Sequence, residues 1–427
     1  MKIDFKQTEL SNGLRVATAE MPHVASVSIG IWVGVGGRYE NRRHSGLSHF
    51  IEHLLFKGTA KRSARDISQT IEGRGGYFNA FTQEESTCYY TRIDANYAWE
   101  AFDVLADMYA HPKLAADDID KERQVVIEEI MMYRDRPNSA VEDMLGELLW
   151  HGHSLGKPLI GTQENIARVS RSEIAGFKAK RYVPGNTLVV FAGCIDHEAC
   201  VAEVQKRLGR LTAKRRPTCS AVNARTPQKA MAVETRNIEQ THLALGVRLF
   251  GRHDARRFPL KLMNVVLGEN MSSRLFQSIR ERNGLAYSVH SSVNLFNETG
   301  TLAVQAGLDR RRIDRALGLV VKEMQRLKDR KIPGPELQRA KDYAIGQMRL
   351  SLESTGSQMM WIGENIMGYD RVTQPEKVIS QLQKTTAEQI QKMANQVFRS
   401  NRVSVAIIAP EDKEAHEQII ARRLAEL

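Results

Sequence analysis

Apolar residues along the chain either alternate with polar ones or recur every three to four positions, and these two periods predict strands and helices respectively. In the first half, alternating or unbroken apolar runs predict strands over 27–35, 86–93 and 187–192. The helical period predicts helices over 47–56, 98–108, 118–134 and 172–182. Helices and strands are thus interspersed, so we predict the α+β class.

The pattern of the first half returns in the second half. Three segments of the first half have counterparts at a similar spacing in the second half. Residues 28–31 correspond to 244–247, and the strand that contains Thr87 corresponds to the strand that contains Thr301. The helix that contains Glu122 and Glu129 corresponds to 336–348. The stretch 211–228 is rich in Lys, Arg, Pro, Thr and Ser, as is typical of a linker. We predict two homologous α/β-sandwich domains, 1–212 and 228–427, joined by a linker at 213–227. Each would hold an antiparallel-rich sheet flanked by helices.

Composition narrows the class of protein. The 427 residues are enough for two or more domains, and the four cysteines form no CxxC pair, which favours free thiols in a reducing compartment. Neither a signal-peptide core nor an apolar run of about 18 residues is present. We therefore expect a cytoplasmic protein without a membrane partner, although a processed organellar form would look the same. The interpretation as a nucleic-acid-binding protein would depend on the net charge of +11 alone. Because the basic residues are scattered, we expect no nucleic-acid partner.

The candidate chemistry centres on the segment from His49 to His53. On a helix these two histidines lie four residues apart on one face, so that their imidazoles can share one metal ion. Glu52 lies on nearly the same face and can act as a general base on a water molecule without being a ligand. The same string also arises by chance, with both histidines as core residues of an amphipathic helix. A third ligand is needed to decide between the two interpretations.

Glu129 is the predicted third ligand. Glu122 and Glu129 are seven residues apart, which is two helical turns, so both point the same way and Glu122 can support a ligand from behind. Glu128 is a rival ligand, and a solvated charge on an exposed helix face is the alternative for Glu122. At the repeated positions stand Ala340 and Gln347, so we predict a metal site in the first domain only.

Two other patterns have a metal-like composition but are predicted to be structural: Cys194-x-x-His197-x-x-Cys200 and His151-Gly152-His153. The first follows the strand at 187–192 and enters a helix, where Asp196 is expected to cap the helix and Cys200 to pack in the core. The second is expected to serve the local structure of a loop.

Together these residues resemble the pitrilysin-type (M16, inverzincin) zinc metallopeptidases, and most of all their two-domain members similar to mitochondrial processing peptidases and bacterial relatives. The segment His49–His53 matches the inverted zinc motif of that family, and Glu129 falls at the distance of its third ligand. Further similar segments are 75–82, 153–156 with Gly161, 272–276 and 280–287.

The resemblance implies a zinc endopeptidase that cuts peptides or short unfolded polypeptides. One Zn²⁺ per chain would be held by His49, His53 and Glu129, with Glu52 as general base. The catalytic set would also include Glu122, Arg280 and Tyr287, of which the last two would bind substrate or steady the tetrahedral intermediate. From the residues alone, Arg280 could equally be a surface charge and Tyr287 a core aromatic.

Asn79 and Ala80 are the predicted substrate-binding residues of the first domain. They lie in the segment that resembles the family's substrate edge, and an exposed sheet edge can bind an extended peptide through its main chain. The alternative is that Asn79 ends a turn after Gly75 and Gly76.

The resemblance also implies a quaternary structure. Relatives of this size are two-domain half-shells, and two of them close a chamber, so we expect a homodimer or a heterodimer with a related chain. The second domain would then contribute Arg280 and Tyr287 to the site of the other chain. The same family contains a second kind of protein, the metal-free scaffold or the subunit of a heteromeric processing peptidase. Acidic residues after the zinc helix would favour basic substrates; they are Glu142, Asp143 and Glu147.

Overall fold

The computed structural model describes residues 4–222, 228–410 and 413–427. The chain forms two compact units, each made of three segments. Unit 1 comprises the residues up to Met131 together with Lys157–Ser220 and Arg349–Pro375, and unit 2 comprises Met132–Gly156, Ala221–Met348 and Glu376–Leu427. Both units combine one sheet with several helices, which confirms the predicted α+β class.

Unit 1 is built on a six-stranded sheet of order β1-β2-β6-β3-β5-β4. Its strands are β1 (Phe5–Glu9), β2 (Arg15–Glu20), β3 (Ser26–Val33), β4 (Tyr77–Thr82), β5 (Thr87–Asp94) and β6 (Thr187–Gly193). Strands β2 and β6 are parallel, and the other pairs are antiparallel. The central strands β3 and β6 are almost wholly buried because helices cover both faces, whereas β4 lies at an edge.

The helices of unit 1 include one from the far end of the chain. They are α1 (Leu47–Leu55), α2 (Ala64–Glu72), α3 (Ala98–Ala110), α4 (Ala116–Asp135, whose last turn belongs to unit 2), α6 (Gln163–Arg168), α7 (Arg171–Arg181), α8 (His197–Leu208) and α12 (Thr355–Tyr369). Phe102 of α3 contacts Phe191, which lies opposite Ile29 on one face of the sheet. Met359 of α12 lies over Gly30, and α12 therefore covers the opposite face.

Unit 2 repeats this arrangement with one strand fewer. Its five-stranded sheet has the order β7-β11-β8-β10-β9, in which β7 and β11 are parallel and the other pairs antiparallel. The strands are β7 (Met231–Thr235), β8 (Gln240–Phe250), β9 (Ala286–Leu295), β10 (Thr299–Asp309) and β11 (Val403–Ala409). The helices are α5 (Pro137–Leu149), α9 (Arg257–Asn264), α10 (Ile313–Asp329), α11 (Gly334–Ser351, which ends in unit 1), α13 (Pro375–Lys384), α14 (Ala387–Val397) and α15 (Lys413–Ala425).

The segments that repeat in the sequence occupy equivalent positions in the two sheets. Strand β3 with 28–31 and strand β8 with 244–247 occupy equivalent places, between β6 and β5 in one sheet and between β11 and β10 in the other. Thr87 begins β5 and Thr301 lies in β10, and a short 3₁₀ turn leads from each of these strands into a long helix, α3 or α10. The two sheets therefore follow one plan.

Each unit takes one helix from the other half of the sequence. Helix α12, from the second half, packs on β3, β6 and β2, and helix α5, from the first half, packs on β8 and β11. Each helix packs against a glycine at the equivalent position of its sheet. A Cβ added to Gly30 would meet the Met359 sulfur at 2.5 Å, and one added to Gly246 would meet Leu145 at 2.9 Å. The ranges 1–212 and 228–427 describe the sequence repeat, and the compact units differ from them by this exchange.

The predicted elements of the first half are all present, with small shifts of their ends. The sequence patterns did not reveal β1, β2, α2, α6 or the exchanged helix α5, and β4 was expected only as a sheet edge, through the resemblance of 75–82. Of the predicted linker, 213–222 contains neither helix nor strand, and 223–227 lies outside the described residues. Within the part of the chain that the structure describes, no helix has both the length and the apolar character needed to cross a bilayer.

Candidate metal centre

Helix α1 presents the two histidines and Glu52 on its less buried side. Its apolar residues, among them Phe50 and Ile51, are fully buried in the core of unit 1. His49, Glu52 and His53 are only partly buried, and the two imidazole rings lie 4.6 Å apart between centroids. The helical spacing has thus placed both rings on one face, as predicted.

Helix α4 brings Glu129 to the same place. Oε2 of Glu129 lies 3.8 Å from Nε2 of His49 and 3.5 Å from Nε2 of His53. One ligand atom from each of the three residues fits within 4.8 Å of the others. Ligands about 2 Å from a tetrahedral zinc ion lie roughly 3.3 Å from one another, so a small adjustment suffices to hold the ion. Glu128, the rival ligand, is exposed to solvent.

Glu122 supports His53 from behind, as the two-turn spacing predicts. Its Oε1 accepts a hydrogen bond of 2.9 Å from Nδ1 of His53, which leaves Nε2 of that ring directed at Glu129. Its Oε2 lies 2.5 Å from Nζ of Lys57. Burial opposes the ionisation of Glu122, but His53 and Lys57 outweigh burial and hold its pKa below the ordinary value. A carboxylate that orients a histidine in this way is typical of zinc sites, and Glu122 is no solvated surface charge.

The pKa values of the two histidines shift in opposite directions. Burial, reinforced by the neighbouring His53, lowers the pKa of His49 to about 4, so its imidazole is neutral and able to bind a metal ion. Nδ1 of His49 is buried and has no hydrogen-bond partner among the described residues. Burial likewise lowers the pKa of His53, but the adjacent carboxylates raise it overall. The two imidazoles and the Glu129 carboxylate lie at distances from one another that fit a divalent cation.

Glu52 has a partner that the sequence patterns did not reveal. Oγ1 of Thr82, at the end of β4, donates a hydrogen bond of 2.6 Å to Oε2 of Glu52. Burial raises the pKa of Glu52, and the bond from Thr82 opposes that rise. The only available signal for Thr82 is its place at the end of the segment 75–82.

Asn79 and Ala80 lie within strand β4, opposite Tyr90 and Tyr89 of β5. The alternative in which Asn79 merely ends a turn is therefore wrong. The Asn79 amide donates to the hydroxyl of Tyr77 at 2.7 Å, and its Oδ1 accepts from the main-chain nitrogen of Ala80 at 2.8 Å. Because β4 is an edge strand, this segment has the position needed to pair with an extended peptide.

Arg280 and Tyr287 are neighbours within unit 2. Arg280 lies on a π-helical turn, Phe276–Glu281, and its guanidinium is 5.4 Å from the centre of the Tyr287 ring. Tyr287 is 79% exposed, so it is not a core aromatic. A cavity of about 630 Å³ opens beside it, lined by Glu239, Gln240, Gly284, Leu285, Ala286, Tyr287, Gly307, Asp309, Arg310 and Arg311.

The remaining metal-like patterns are structural, as predicted. Asp196 caps α8 by accepting a hydrogen bond of 2.9 Å from the Ala199 nitrogen, and Cys200 is fully buried. Both ring nitrogens of His197 are hydrogen-bonded to threonine hydroxyls, those of Thr8 and Thr18. Nδ1 of His153 accepts from the nitrogen of Leu155 within its loop.

Fold and site together define a class of protein: a duplicated α+β chain with an HxxEH helix, His49 to His53, whose two histidines form a candidate metal site with Glu129 of a second helix. Residues 15–163 match the sequence model described as insulinase (peptidase family M16), and residues 168–343 match the one described as the peptidase M16 inactive domain. An uncharacterized zinc protease of Mycobacterium leprae is 37% identical over 95% of this chain and 91% of its own length. The uncharacterized zinc protease YmxG of Bacillus subtilis is 35% identical over 95% of this chain and 98% of its own length.

Solved structures share the fold. A protease from Helicobacter pylori has a TM-score of 0.90 at 20% identity, covering 96% of this chain and all of its own. A peptidase M16 inactive domain protein from Pseudomonas fluorescens has a TM-score of 0.89 at 18% identity, covering 96% and 98%. The chain belongs to peptidase family M16. The description of the second region as inactive agrees with Ala340 of helix α11, which stands at the position that repeats Glu122.

Proposed function

We propose that this protein is a zinc-dependent endopeptidase that hydrolyses peptides or short unfolded polypeptides. The observation that carries the proposal is the convergence of His49, His53 and Glu129, from two helices distant in sequence, beside the partly buried carboxyl group of Glu52. The names of the relatives support zinc and proteolysis as the chemistry.

His49, His53 and Glu129 would hold one Zn²⁺, and Glu122 would fix the tautomer of His53. A zinc ion held there would supply Lewis acidity toward a peptide carbonyl and a water molecule. Glu52 accepts the proton of the attacking water and returns it to the leaving amine. Thr82 holds one carboxylate oxygen of Glu52, so the other oxygen is left for the proton transfer.

The substrate would lie along the edge of β4 as an additional strand. Main-chain pairing at Asn79 and Ala80 tolerates many sequences, because it uses no side chain of the substrate. Arg280 and Tyr287 would contact the substrate through their exposed polar ends, each in the site of a partner chain, so the active form would be a homodimer or a heterodimer with a related chain.

Cleavage of a quenched fluorescent peptide library by the zinc-loaded protein tests the proposal, with Glu52→Gln as the matched variant. We expect cleavage by the wild type, and loss of at least about 100-fold in the variant with zinc still bound, because general-base catalysis contributes that much. Equal activity of the two proteins would refute the role of Glu52. No cleavage by a zinc-loaded wild type would favour the partner subunit or scaffold instead.

The dimer is tested with two inactive chains. Mixing Glu52→Gln with Tyr287→Phe should restore activity if each site combines residues of both chains. Absence of activity, with mixed dimers demonstrated by mass spectrometry, would refute the shared site.

A further inference from the structure

Helix α1 cannot supply its own N-terminal cap. The N-cap residue is Gly46, with a φ of +91°, and a Cβ added there would lie 2.5 Å from the Ile160 oxygen and 2.7 Å from Cα of Gly161. Both the conformation and the contact exclude residues with side chains. The Ser, Thr, Asp or Asn that usually caps a helix is therefore impossible at this position.

Glu40, six residues earlier, performs that task from outside the helix. Its Oε2 accepts a hydrogen bond of 2.7 Å from the Gly46 nitrogen, and its Oε1 accepts one of 2.6 Å from the Ser48 nitrogen. Only 8% of Glu40 is exposed. A carboxylate at this end satisfies amides that have no partner inside the helix and interacts favourably with the helix dipole. Glu40 therefore holds the first turn of α1 in place.

His49 lies in that first turn, and its ring lacks the support that His53 has. Glu122 holds Nδ1 of His53, whereas Nδ1 of His49 is buried without a hydrogen-bond partner among the described residues. The direction of Nε2 in His49 therefore depends on the backbone from which the ring projects. That backbone is fixed at the amide of the preceding residue, Ser48, by Glu40.

We propose that Glu40 is a positioning residue of the metal centre, which sets His49 through the backbone of α1 as Glu122 sets His53 through its ring. The inference rests on the metal site of the proposed function. It predicts that the two ligands respond to two different carboxylates, neither of which touches the ion.

The test is the affinity for Zn²⁺ of Glu40→Gln, measured by competition with a chromophoric chelator. Glutamine keeps the shape but replaces one accepting oxygen with an NH₂ group, which faces a main-chain N–H. We expect the dissociation constant to rise on the order of tenfold, as for other groups that orient ligands. The absorption spectrum of the Co²⁺ form should change as well, because the geometry around the ion changes.

Asp196→Ala is the matched control. Asp196 caps α8, a helix that carries no proposed ligand, so the variant loses a helix cap but should keep the zinc affinity and the Co²⁺ spectrum. Thermal unfolding of both variants shows whether their losses of stability are similar. If Asp196→Ala weakens zinc binding as much as Glu40→Gln, the effect is one of general stability and the proposal is overturned.

A double-mutant cycle identifies the ligand through which Glu40 acts. In a His49→Ala background, Glu40→Gln should have no further effect on the residual affinity, whereas in a Glu122→Gln background its effect should persist in full. Equal effects in both backgrounds would overturn the assignment to His49. If Glu40→Gln does not fold, Glu40→Asp keeps both oxygens on a shorter chain and should weaken zinc binding to a smaller extent; unchanged affinity in the folded variant would overturn the proposal.

These outcomes are independent of catalysis. A wild type that binds zinc without cutting peptides would contradict the proposed function, yet the effect of Glu40→Gln on affinity would still be measured. A wild type that binds no zinc would overturn the metal site and this inference together.

Discussion

The substitution Gly363→Ala tests the packing of the exchanged helix α12 on unit 1. A Cβ at this position would lie 2.5 Å from Cζ2 of Trp32 and closer still to Cε2 and Nε1 of the same ring. Carbon atoms in contact are normally about 3.5–4 Å apart, so the ring or the helix must move by roughly 1 Å or more. Trp32 has no exposed surface and cannot turn away into solvent.

The expected cost follows from that clash. Overpacking a well-filled core costs about 1–3 kcal/mol, and for a unit of this size each kcal/mol lowers the melting temperature by about 2–4 °C. We expect Gly363→Ala to lower it by about 4–8 °C, measured by circular dichroism during heating. The double variant Trp32→Phe with Gly363→Ala should lose less stability than the sum of the two single variants, because the smaller ring makes room.

Gly356→Ala is the control within the same helix. A Cβ at this position meets its nearest atom, Oγ of Ser28, at 3.8 Å, which is ordinary van der Waals contact. Its melting temperature should therefore stay near that of the wild type or rise, since alanine favours helix. Equal melting temperatures for Gly363→Ala and Gly356→Ala would refute the tight packing of α12 against Trp32.

Two further predictions concern charged groups. Glu122→Gln removes the charge behind His53 and should weaken zinc binding by about 10–100-fold in chelator competition, while the exposed neighbour Glu128→Gln should leave it unchanged; similar losses in both would contradict the role of Glu122. Burial lowers the pKa of Lys178 to about 8. Below that pH the buried, charged lysine therefore lowers the free energy of unfolding, and this loss of stability disappears as the pH rises from about 8 to the ordinary pKa near 10.5. In urea unfolding, the wild type should therefore gain stability relative to Lys178→Met between pH 7.5 and pH 9.5, and a difference independent of pH would exclude a buried ammonium.

The candidate site shows which of its residues the sequence pattern can predict. His49, Glu52 and His53 lie on one helix, so their spacing alone places them on one face. Glu129 was predictable only from its spacing to Glu122 and from the family resemblance, because no local signal shows that α4 will lie beside α1. Thr82 was missed for the same reason, because a threonine that ends a strand looks like any other strand residue.

The amino-acid sequence by itself determined the local elements, the repeat of one α+β unit and the asymmetry of the two halves. These properties depend on periodicity and on residue identity at matched positions, both of which are properties of the chain. Tertiary structure alone decided that α5 and α12 each pack in the unit formed mainly by the other half of the sequence. A glycine in a strand leaves room for a helix, but the sequence does not show which helix will pack there. Tertiary structure also decided that Glu40 caps α1 in place of Gly46, since a cap from six residues upstream requires a loop conformation that no period encodes.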